Sequence, residues 1–509
     1  MLDCLTDRGN LPADAEAFEH ALACTPESPF GPLGTRFAVR KPIYVVRAPA
    51  RLDCMGGIAD YSGSLVCEMT LDRAVLMALQ ARDDRKVVVH SDGVDELGLS
   101  PDVTLALDDL APGSGAVDYD TVKRRFSGVP ESAWAAYVAG AFSVLQGEGH
   151  MERFPHGATI VLASNIPFRV GASSSAALEI AAIHGLNLLY GINLEGMTLA
   201  VLSQKVENHV VGAACGIMDQ VTCAMGTRGH LLSLLCQPHT VREQIPVPDG
   251  VHFIGINSGV RREIKGARYT NSRIGAFMGL AILQDHLRSG NGAAANLRLG
   301  YLCNLSTSEY VDSCRSLLPS SISGRAFMRR YGTTPDPVTT VDPEVMYMVR
   351  SRVEHPVYEH RRVTDFTECI RLAGSPEQPE LLEQEGRLER AGRLERTGRL
   401  ERTGRLERAG RLMYASDWSY THRCGLGSAE TAWIVRETRK LGEEAGFYGA
   451  RITGGGAGGT VAVAGNDRMF DHLGPLLERY GEATGIEADV FIGTSPGALE
   501  FGHRVYRIA

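Results

Sequence analysis

No uninterrupted apolar run in the sequence reaches the roughly 18 residues that a membrane-spanning helix needs. The first segment, MLDCLTDRGNLPADAEAFEHALA, lacks the basic patch and apolar core that mark a secretory signal. The eleven cysteines include no CxxC pair, and their long spacings fit neither a zinc site nor a disulfide framework. These absences predict reduced thiols in a cytoplasmic protein.

Two common signatures of phosphoryl transfer are also missing. The dipeptide Gly-Lys of a Walker A loop does not occur, nor does the HRD sequence of a protein-kinase catalytic loop. Charge is modest, since 52 Lys+Arg against 60 Asp+Glu give a net charge of -8, which argues against a non-specific nucleic-acid binder. We therefore expect no nucleic acid and no membrane among its partners.

The chain has 509 residues, of which 44% are hydrophobic, so it is long enough for several domains. Strand patterns such as IYVVRAPARL, KVVVHS and ATIVLAS mix irregularly with helical patterns such as SAALEIAAIHGLNLLYG. Because regular βαβ units are absent from this pattern, we expect α+β layers. The mixed and polar composition of 1–40 predicts an N-terminal extension. A junction near 240–250 predicts a first domain at 41–245 and a second at 246–509.

A six-residue repeat, GRLER followed by Ala or Thr, occupies 386–409 and continues as GRL to 412. On a helix each copy advances by about 240°, so the leucines form no apolar stripe. Each glycine costs a helix about 1 kcal/mol relative to alanine, whereas Glu and Arg four residues apart give weak support. We interpret 386–412 as a solvated insertion, with a basic interaction arm as the alternative.

The first of three candidate ligand loops is IPFRVGASSSAA at 166–177. It joins a predicted strand to an amphipathic helix that begins at the serines. The unpaired N–H groups and the dipole of a helix start attract phosphate, and Gly171 allows a close approach. A helix cap needs only one serine, so three in a row favour a phosphate loop over ordinary N-capping.

The second loop is TGGGAGGT at 453–460. Its glycines satisfy GxGxxG, but the β-branched TVAVAG comes next where a dinucleotide fingerprint requires a helix. We therefore predict a glycine-rich hairpin close to a ligand. A nicotinamide oxidoreductase would rest on this loop alone.

The third loop, VENHVVGAACGIMDQ at 206–220, begins on a predicted helix and breaks at small residues before Asp219. A carboxylate just past such a break could act as a general base. Taken alone, an aspartate in this place is more often a helix cap.

In this order the loops resemble the motifs of the GHMP small-molecule kinase superfamily. RAPARLDCMGGIADYSG at 47–63 is similar to its sugar-kinase signature, the serine loop to its phosphate loop, and TGGGAGG to its C-terminal glycine motif. The chain most resembles the galactokinase branch and, through GGIADYSGS, YLCNLS and SYTHRCGLGS, the arabinokinases within it. The resemblance implies a two-domain α+β fold: an N-terminal domain like ribosomal protein S5 domain 2 and a ferredoxin-like C-terminal domain, with the active site between them.

The resemblance also implies roles for single residues. Asp219 matches the catalytic aspartate, and Arg51 matches the arginine beside it. Mg²⁺ would be held by Ser174 or Ser175 together with Glu207. The implied sugar contacts are Asp60, Gly57 and Tyr269, and the implied ATP contacts are Gly171, Ala172, Ser173, Ser174, Ser175, Gly455 and Gly456.

The implied reaction is Mg²⁺-dependent transfer of the ATP γ-phosphoryl group to the anomeric hydroxyl of a sugar. The resemblance to arabinokinases favours L-arabinose, with D-galactose as the alternative. The Glu and His of the galactokinase GEHTDY signature are Gly57 and Ile58 here, so galactose recognition is expected to differ. A catalytically silent sugar-binding regulator on the same fold is a second alternative, which the presence of Arg51, Ser174 and Asp219 disfavours. We expect a monomer or homodimer.

Overall fold

A computed structural model of the chain describes residues 2–6, 11–25, 28, 30–114, 116–168, 170–260, 267–288, 299–374, 388–455 and 459–509. Its strands are β1 (Leu2–Cys4), β2 (Pro42–Met55), β3 (Leu65–Ala81), β4 (Lys86–Ser91), β5 (Asp102–Ala106), β6 (Ala158–Ser164), β7 (His230–Leu235), β8 (Thr240–Pro246), β9 (Val251–Asn257), β10 (Ser321–Ser323), β11 (Met346–Met348), β12 (Phe447–Ile452), β13 (Thr460–Asn466), β14 (Asp489–Phe491) and β15 (His503–Ile508).

Its α-helices are α1 (Ala13–Leu22), α2 (Leu107–Leu110), α3 (Tyr119–Ser127), α4 (Ala136–Gly147), α5 (Ser174–Tyr190), α6 (Gly196–Lys205), α7 (Met218–Met225), α8 (Ala267–Arg288), α9 (Thr307–Glu309), α10 (Gly324–Tyr331), α11 (Arg350–Gly374), α12 (Leu388–Cys424), α13 (Ala429–Leu441), α14 (Met469–Thr484) and α15 (Ala498–Phe501). Within the described ranges, no helix combines the length and apolar character needed to cross a bilayer.

Two main sheets and a two-stranded sheet, β10-β11, organise the described residues. The larger has the order β1-β15-β2-β3-β6-β4-β5, with β7 paired to β3 and β8 to β7, and the smaller has the order β12-β13-β9-β14. The chain passes from one sheet to the other between β8 and β9. The last strand, β15, pairs with both β1 and β2, so the two ends of the chain meet in the larger sheet. The division of the chain at 245/246 stays a prediction.

Described residues of the stretch at 1–40, predicted as an extension, pack against this larger sheet. Phe18 and Leu22 of α1 lie in one buried cluster with Phe501 and Tyr506 from the end of the chain. The N-terminal segment therefore contributes to the core of the larger sheet.

The central strands β2 and β3 are buried over most of their length, in keeping with their mostly apolar sequences. Helix α5 packs on both strands. A Cβ atom on Gly185 would overlap Leu79 of β3, so this glycine allows α5 to approach the sheet. The start of α5 is tied to β2 by the Arg51 N–H, which donates to the Ala172 carbonyl at 3.2 Å.

The C-terminal part of the repeat differs from the predicted solvated insertion. It lies in helix α12, where the Leu406 side chain is 5% exposed and packs in the main core, whereas Leu400 is 73% exposed. The six-residue spacing places these leucines about 240° apart around the helix. Arg405 Nη1 also donates to the Leu372 carbonyl of α11 at 2.8 Å. Residues 386 and 387 lie outside the described residues.

We expect Leu406→Ala to lower the free energy of unfolding by about 2–4 kcal/mol, because it removes a buried side chain and leaves a cavity. Leu400→Ala, in the same position of the preceding repeat, is the matched control and should change it by less than about 0.5 kcal/mol. Urea denaturation measures both. Equal effects would contradict the burial of only one of the two leucines.

Candidate active site

Asp219 and Arg51 are in direct contact. Arg51 lies in β2 and Asp219 in the first turn of α7. Arg51 Nε donates to Asp219 Oδ1 at 2.8 Å, and Nη2 lies 2.7 Å from the same oxygen. Burial alone would lower the pKa of Arg51, but the charges of Asp219, Glu68 and Asp53 raise it above its usual value. The pair is therefore a fixed cation beside a carboxylate, and the Asp219 side chain is 25% exposed.

The serine loop lies beside this pair. Arg51 Nη1 donates to the Gly171 carbonyl at 3.0 Å, and Gly171 has a φ of 82°, in the left-handed region that favours glycine. Helix α5 begins at Ser174, and the side chain of the preceding residue, Ser173, accepts no hydrogen bond from the N–H groups of the helix. The first N–H groups of α5 are thus available to a phosphate, as the helix-start interpretation requires.

The glycine loop contacts the serine loop. Thr460 Oγ1 donates to the Val170 carbonyl at 2.8 Å, and a Cβ atom on Gly459 would overlap that same carbonyl. A Cβ atom on Gly454 would lie 3.0 Å from the Gly171 carbonyl oxygen. Small residues here allow the two loops to pack directly against each other.

The strand β13, directly after the glycine loop, pairs antiparallel with β12. The predicted hairpin is therefore confirmed, because a strand occupies the place where a dinucleotide fingerprint requires a helix. A Cβ atom on Gly455 would meet no atom within 4 Å. Gly456 lies outside the described residues.

Two buried carboxylates lie close to Asp219. Gln220 Nε2 donates to Glu207 Oε2 and to Glu179 Oε2, each at 3.0 Å. Burial and then repulsion by Asp219 raise the pKa of Glu207 to about 7. Burial and then repulsion by Glu207 raise the pKa of Glu179 well above its usual value. A positive charge bound nearby would reduce the electrostatic repulsion among these carboxylates.

Ser175 and Glu207 offer a donor set that suits Mg²⁺. The Ser175 hydroxyl is near enough to Glu207 to oppose the rise in the pKa of that carboxyl, and hydroxyl and carboxylate oxygens are the ligands that this hard cation prefers. Among the residues that the structure describes, no group of three or more His, Cys, Asp or Glu side chains could hold a metal ion. A cation at Glu207 would therefore depend on phosphate oxygens or water for its remaining ligands.

Asp60 is a third buried carboxylate near Asp219. It lies in the turn after β2, is 5% exposed, and accepts from the Tyr61 N–H at 2.8 Å. Burial and then repulsion by Asp219 raise its pKa to about 6. Tyr269 of α8 packs edge-on against Tyr61, with ring centroids 6.4 Å apart. Burial and then the Asp60 charge raise the pKa of Tyr269 above its usual value, so its hydroxyl stays protonated near Asp60.

Arg273 of α8 was not identified from the sequence. Its guanidinium pairs with the buried Asp336 at 2.7 Å, and its Nη1 donates to the Cys215 carbonyl at 3.0 Å. It also lies 5.2 Å from the centre of the Tyr61 ring. Arg273 thus ties α8 to the loop that leads into Asp219.

Gly57 lies over a buried ion pair. A Cβ atom there would overlap Asp53 and Arg451, whose fully buried side chains are 2.6 Å apart. The Gly57 carbonyl accepts from His355 Nε2 at 3.0 Å. The space that a larger residue would need at position 57 is therefore filled by protein, and a contact between Gly57 and a substrate stays a prediction.

Glu68 of β3 is a further residue that sequence reasoning missed. Its fully buried Oε2 lies 3.3 Å from Arg51 Nε. Burial and then repulsion by Asp53 raise the pKa of Glu68, against the attraction of Arg51. The sequence did contain a signal for this residue, which is a single acidic residue within the otherwise apolar strand LVCEMTL. A charged residue on a buried strand indicates a buried partner of opposite charge, because charged residues are almost never fully buried unless they are paired.

Comparison with known proteins agrees with this arrangement. Residues 136–227, which include the serine loop and Asp219, match the family described as GHMP kinases N terminal domain. The chain is 35% identical over 520 residues to an L-arabinokinase of Arabidopsis thaliana, a match that covers 92% of this chain and 47% of that protein. The predicted resemblance to the GHMP kinase superfamily is confirmed.

A galactokinase of Chloroflexus aggregans is 35% identical to this chain over 252 residues, covering 50% of this chain and 58% of that protein. The chain thus spans about half the length of these curated relatives. The crystal structure of Lactococcus lactis galactokinase complexed with galactose superposes with a TM-score of 0.66 at 20% identity, covering 96% of this chain and 98% of that one. The predicted α+β, two-domain GHMP kinase fold is confirmed.

Proposed function

We propose that this chain is an ATP-dependent sugar 1-kinase of the GHMP superfamily that phosphorylates the anomeric hydroxyl of a monosaccharide, with L-arabinose preferred to D-galactose. One observation carries the proposal: Arg51 bonds at once to Asp219 and to the carbonyl of Gly171 in the serine loop. A carboxylate, a guanidinium and a phosphate-binding helix start therefore converge. Similarity to an L-arabinokinase over 92% of the chain supports the choice of sugar.

Phosphoryl transfer asks a protein mainly for positioning and charge neutralisation. Asp219 would orient the anomeric hydroxyl and take its proton as the sugar oxygen bonds to the γ-phosphorus and the bond to ADP breaks. Arg51 would orient that carboxylate and stabilise the developing charge. In the serine loop, the phosphates would be held by Gly171, Ala172, Ser174 and Ser175, with Gly455 and Gly456 closing the nucleotide site.

On the sugar side, the Asp60 carboxylate would accept hydrogen bonds from ring hydroxyls, and Tyr269 would pack against the ring. Gly57 and Ile58 stand where the galactokinase signature has Glu and His, which favours a sugar other than galactose. Mg²⁺, when bound, would neutralise phosphate charge, held by Glu207 and by Ser175 or Ser174. Action in the cytoplasm as a monomer or homodimer stays a prediction.

An ADP-release assay with L-arabinose, D-galactose, D-glucuronate and D-galacturonate tests the proposal. We expect the highest kcat/KM with L-arabinose and a lower value with D-galactose. A reversed order would make the chain a galactokinase. Sugar binding by calorimetry without ADP release from any sugar would support the catalytically silent regulator.

Removal of Mg²⁺ should abolish ADP release. Glu207→Gln should raise the Mg²⁺ concentration required for half-maximal rate by about ten-fold, because changes to metal ligands and to the groups that orient them typically cost 10- to 100-fold in metal affinity. The exposed Glu444→Gln is the control and should leave it unchanged. An unaltered Mg²⁺ requirement in Glu207→Gln would contradict the assigned ligand.

The kcat/KM for the sugar should fall by about ten-fold between pH 7 and pH 5. The pKa of Asp60 is about 6, so the carboxylate is mostly ionised at pH 7 and mostly protonated at pH 5, where it loses its capacity as an acceptor. Steady-state kinetics over this range measure the fall. Asp60→Asn should have a low value with little further dependence on pH, and a steep profile in that variant would assign the dependence to another group.

A further inference from the structure

The Ser173 hydroxyl points to Asp219. The residue is 9% exposed, and its Oγ donates to Asp219 Oδ2 at 2.5 Å. The other carboxylate oxygen, Oδ1, accepts from Arg51 at 2.8 Å. Arg51 thus holds one oxygen of the Asp219 carboxylate and Ser173 holds the other, and together they fix the plane of the carboxylate.

The backbone at Ser173 is in the left-handed region, with φ 58° and ψ 45°. This conformation costs an L-residue free energy that glycine does not lose. Ser173 precedes α5 directly, yet its side chain makes no cap to the helix. A glycine would fit the backbone better, so the hydroxyl must contribute something that glycine lacks, and its hydrogen bond to Asp219 is the contact that the structure shows.

We propose that Ser173 is a positioning residue for Asp219, which holds Oδ2 toward the acceptor hydroxyl of the sugar and does not act as an ATP ligand. The inference rests on the proposed kinase function and deepens it. It differs from the expectation of the sequence analysis, which placed Ser173 among the ATP contacts.

The hydrogen-bonding capacity of a carboxylate allows this role. A carboxylate oxygen can accept two hydrogen bonds, so the Ser173 donor leaves Oδ2 of Asp219 one direction for the sugar. In the transfer step the sugar hydroxyl proton passes to Oδ2, while Ser173 keeps its own proton and remains a donor. No further reactant is needed.

Two variants remove the hydroxyl in different backbones. Ser173→Gly also relieves the left-handed conformation, whereas Ser173→Ala retains it. We expect kcat to fall about 10- to 100-fold in both, the size expected for a hydrogen bond to a charged group, with KM for ATP changed less than about two-fold. A rise in KM for ATP with kcat unchanged would make Ser173 an ATP ligand and overturn the proposal.

Asn193→Gly is the matched control. Asn193 is exposed, also has a positive φ of 65°, and lies outside the residues placed at the site. This variant relieves the same kind of backbone conformation and should leave kcat and KM unchanged. A similar loss of kcat in Asn193→Gly would assign the effect to the backbone and not to the hydroxyl.

A double-mutant cycle separates this inference from the kinase proposal. The thermal unfolding of Ser173→Gly, Asp219→Asn and the double variant reports the contact without any turnover. We expect non-additive shifts in Tm, even if no sugar in the panel is phosphorylated. Additive shifts would overturn the contact between Ser173 and Asp219, whatever the outcome of the ADP-release assay.

Discussion

Asp219→Asn should lower kcat with the preferred sugar by about 1,000-fold, within the range expected for loss of a general base. The amide keeps the size of the carboxylate but cannot take the proton of the sugar hydroxyl. It also removes the negative charge that Arg51 faces at 2.7 Å, which leaves the fully buried Glu68 as the nearest counter-charge. ATP should still bind, because the helix start at Ser174 is untouched.

The measurement combines ADP release with ATP binding by calorimetry. Asp83→Asn is the control, since the Asp83 side chain is 92% exposed and pairs only with Lys41 among the contacts that the structure gives. It should retain full activity. Turnover by Asp219→Asn within ten-fold of the unaltered protein would remove the proposed base, and a parallel loss of ATP binding would point to a disturbed phosphate loop.

The convergence of the three loops was open to prediction because small residues and helix starts have local signatures. The serines before α5, the glycines between β12 and β13 and Asp219 at the start of α7 are each marked by their own neighbours in the sequence. Their contacts with Arg51 could be expected only from the resemblance to a family, since Arg51 and Asp219 are 168 residues apart.

The buried charges could not be predicted in the same way. Asp53, Glu68 and Arg451 lie on strands, where alternation alone would place a charged residue on a solvent-facing side. Their burial depends on partners far away in the chain, as in the ion pair between Asp53 and Arg451. The pairing of β15 with β2 depends likewise on the two ends of the chain meeting. Neither the burial of these charges nor this strand pairing is indicated by the neighbouring residues in the sequence.

Gly216→Ala should reduce kcat/KM for the sugar by at least about 100-fold. A Cβ atom at this position would fall inside the Asp60 carboxyl group, and Asp60 is buried and held by the Tyr61 N–H, so it cannot swing aside without losing that bond. The cost of overpacking a rigid site is typically 1–3 kcal/mol or more, which corresponds to about 10- to 100-fold, and loss of the sugar contact adds to it. KM for ATP should change little.

Gly474→Ala is the matched control for this substitution. Gly474 lies in α14, and a Cβ atom there would meet nothing within 4 Å, so kinetics should be unaltered and the helix slightly more stable. Asp60→Asn covers the case in which Gly216→Ala folds poorly, because it removes the acceptor charge at constant volume and should reproduce the loss with the sugar. If both site variants phosphorylated the sugar normally, Asp60 would have no part in holding it, and recognition would have to come from the α8 side of the cleft, where Tyr269 and Arg273 lie.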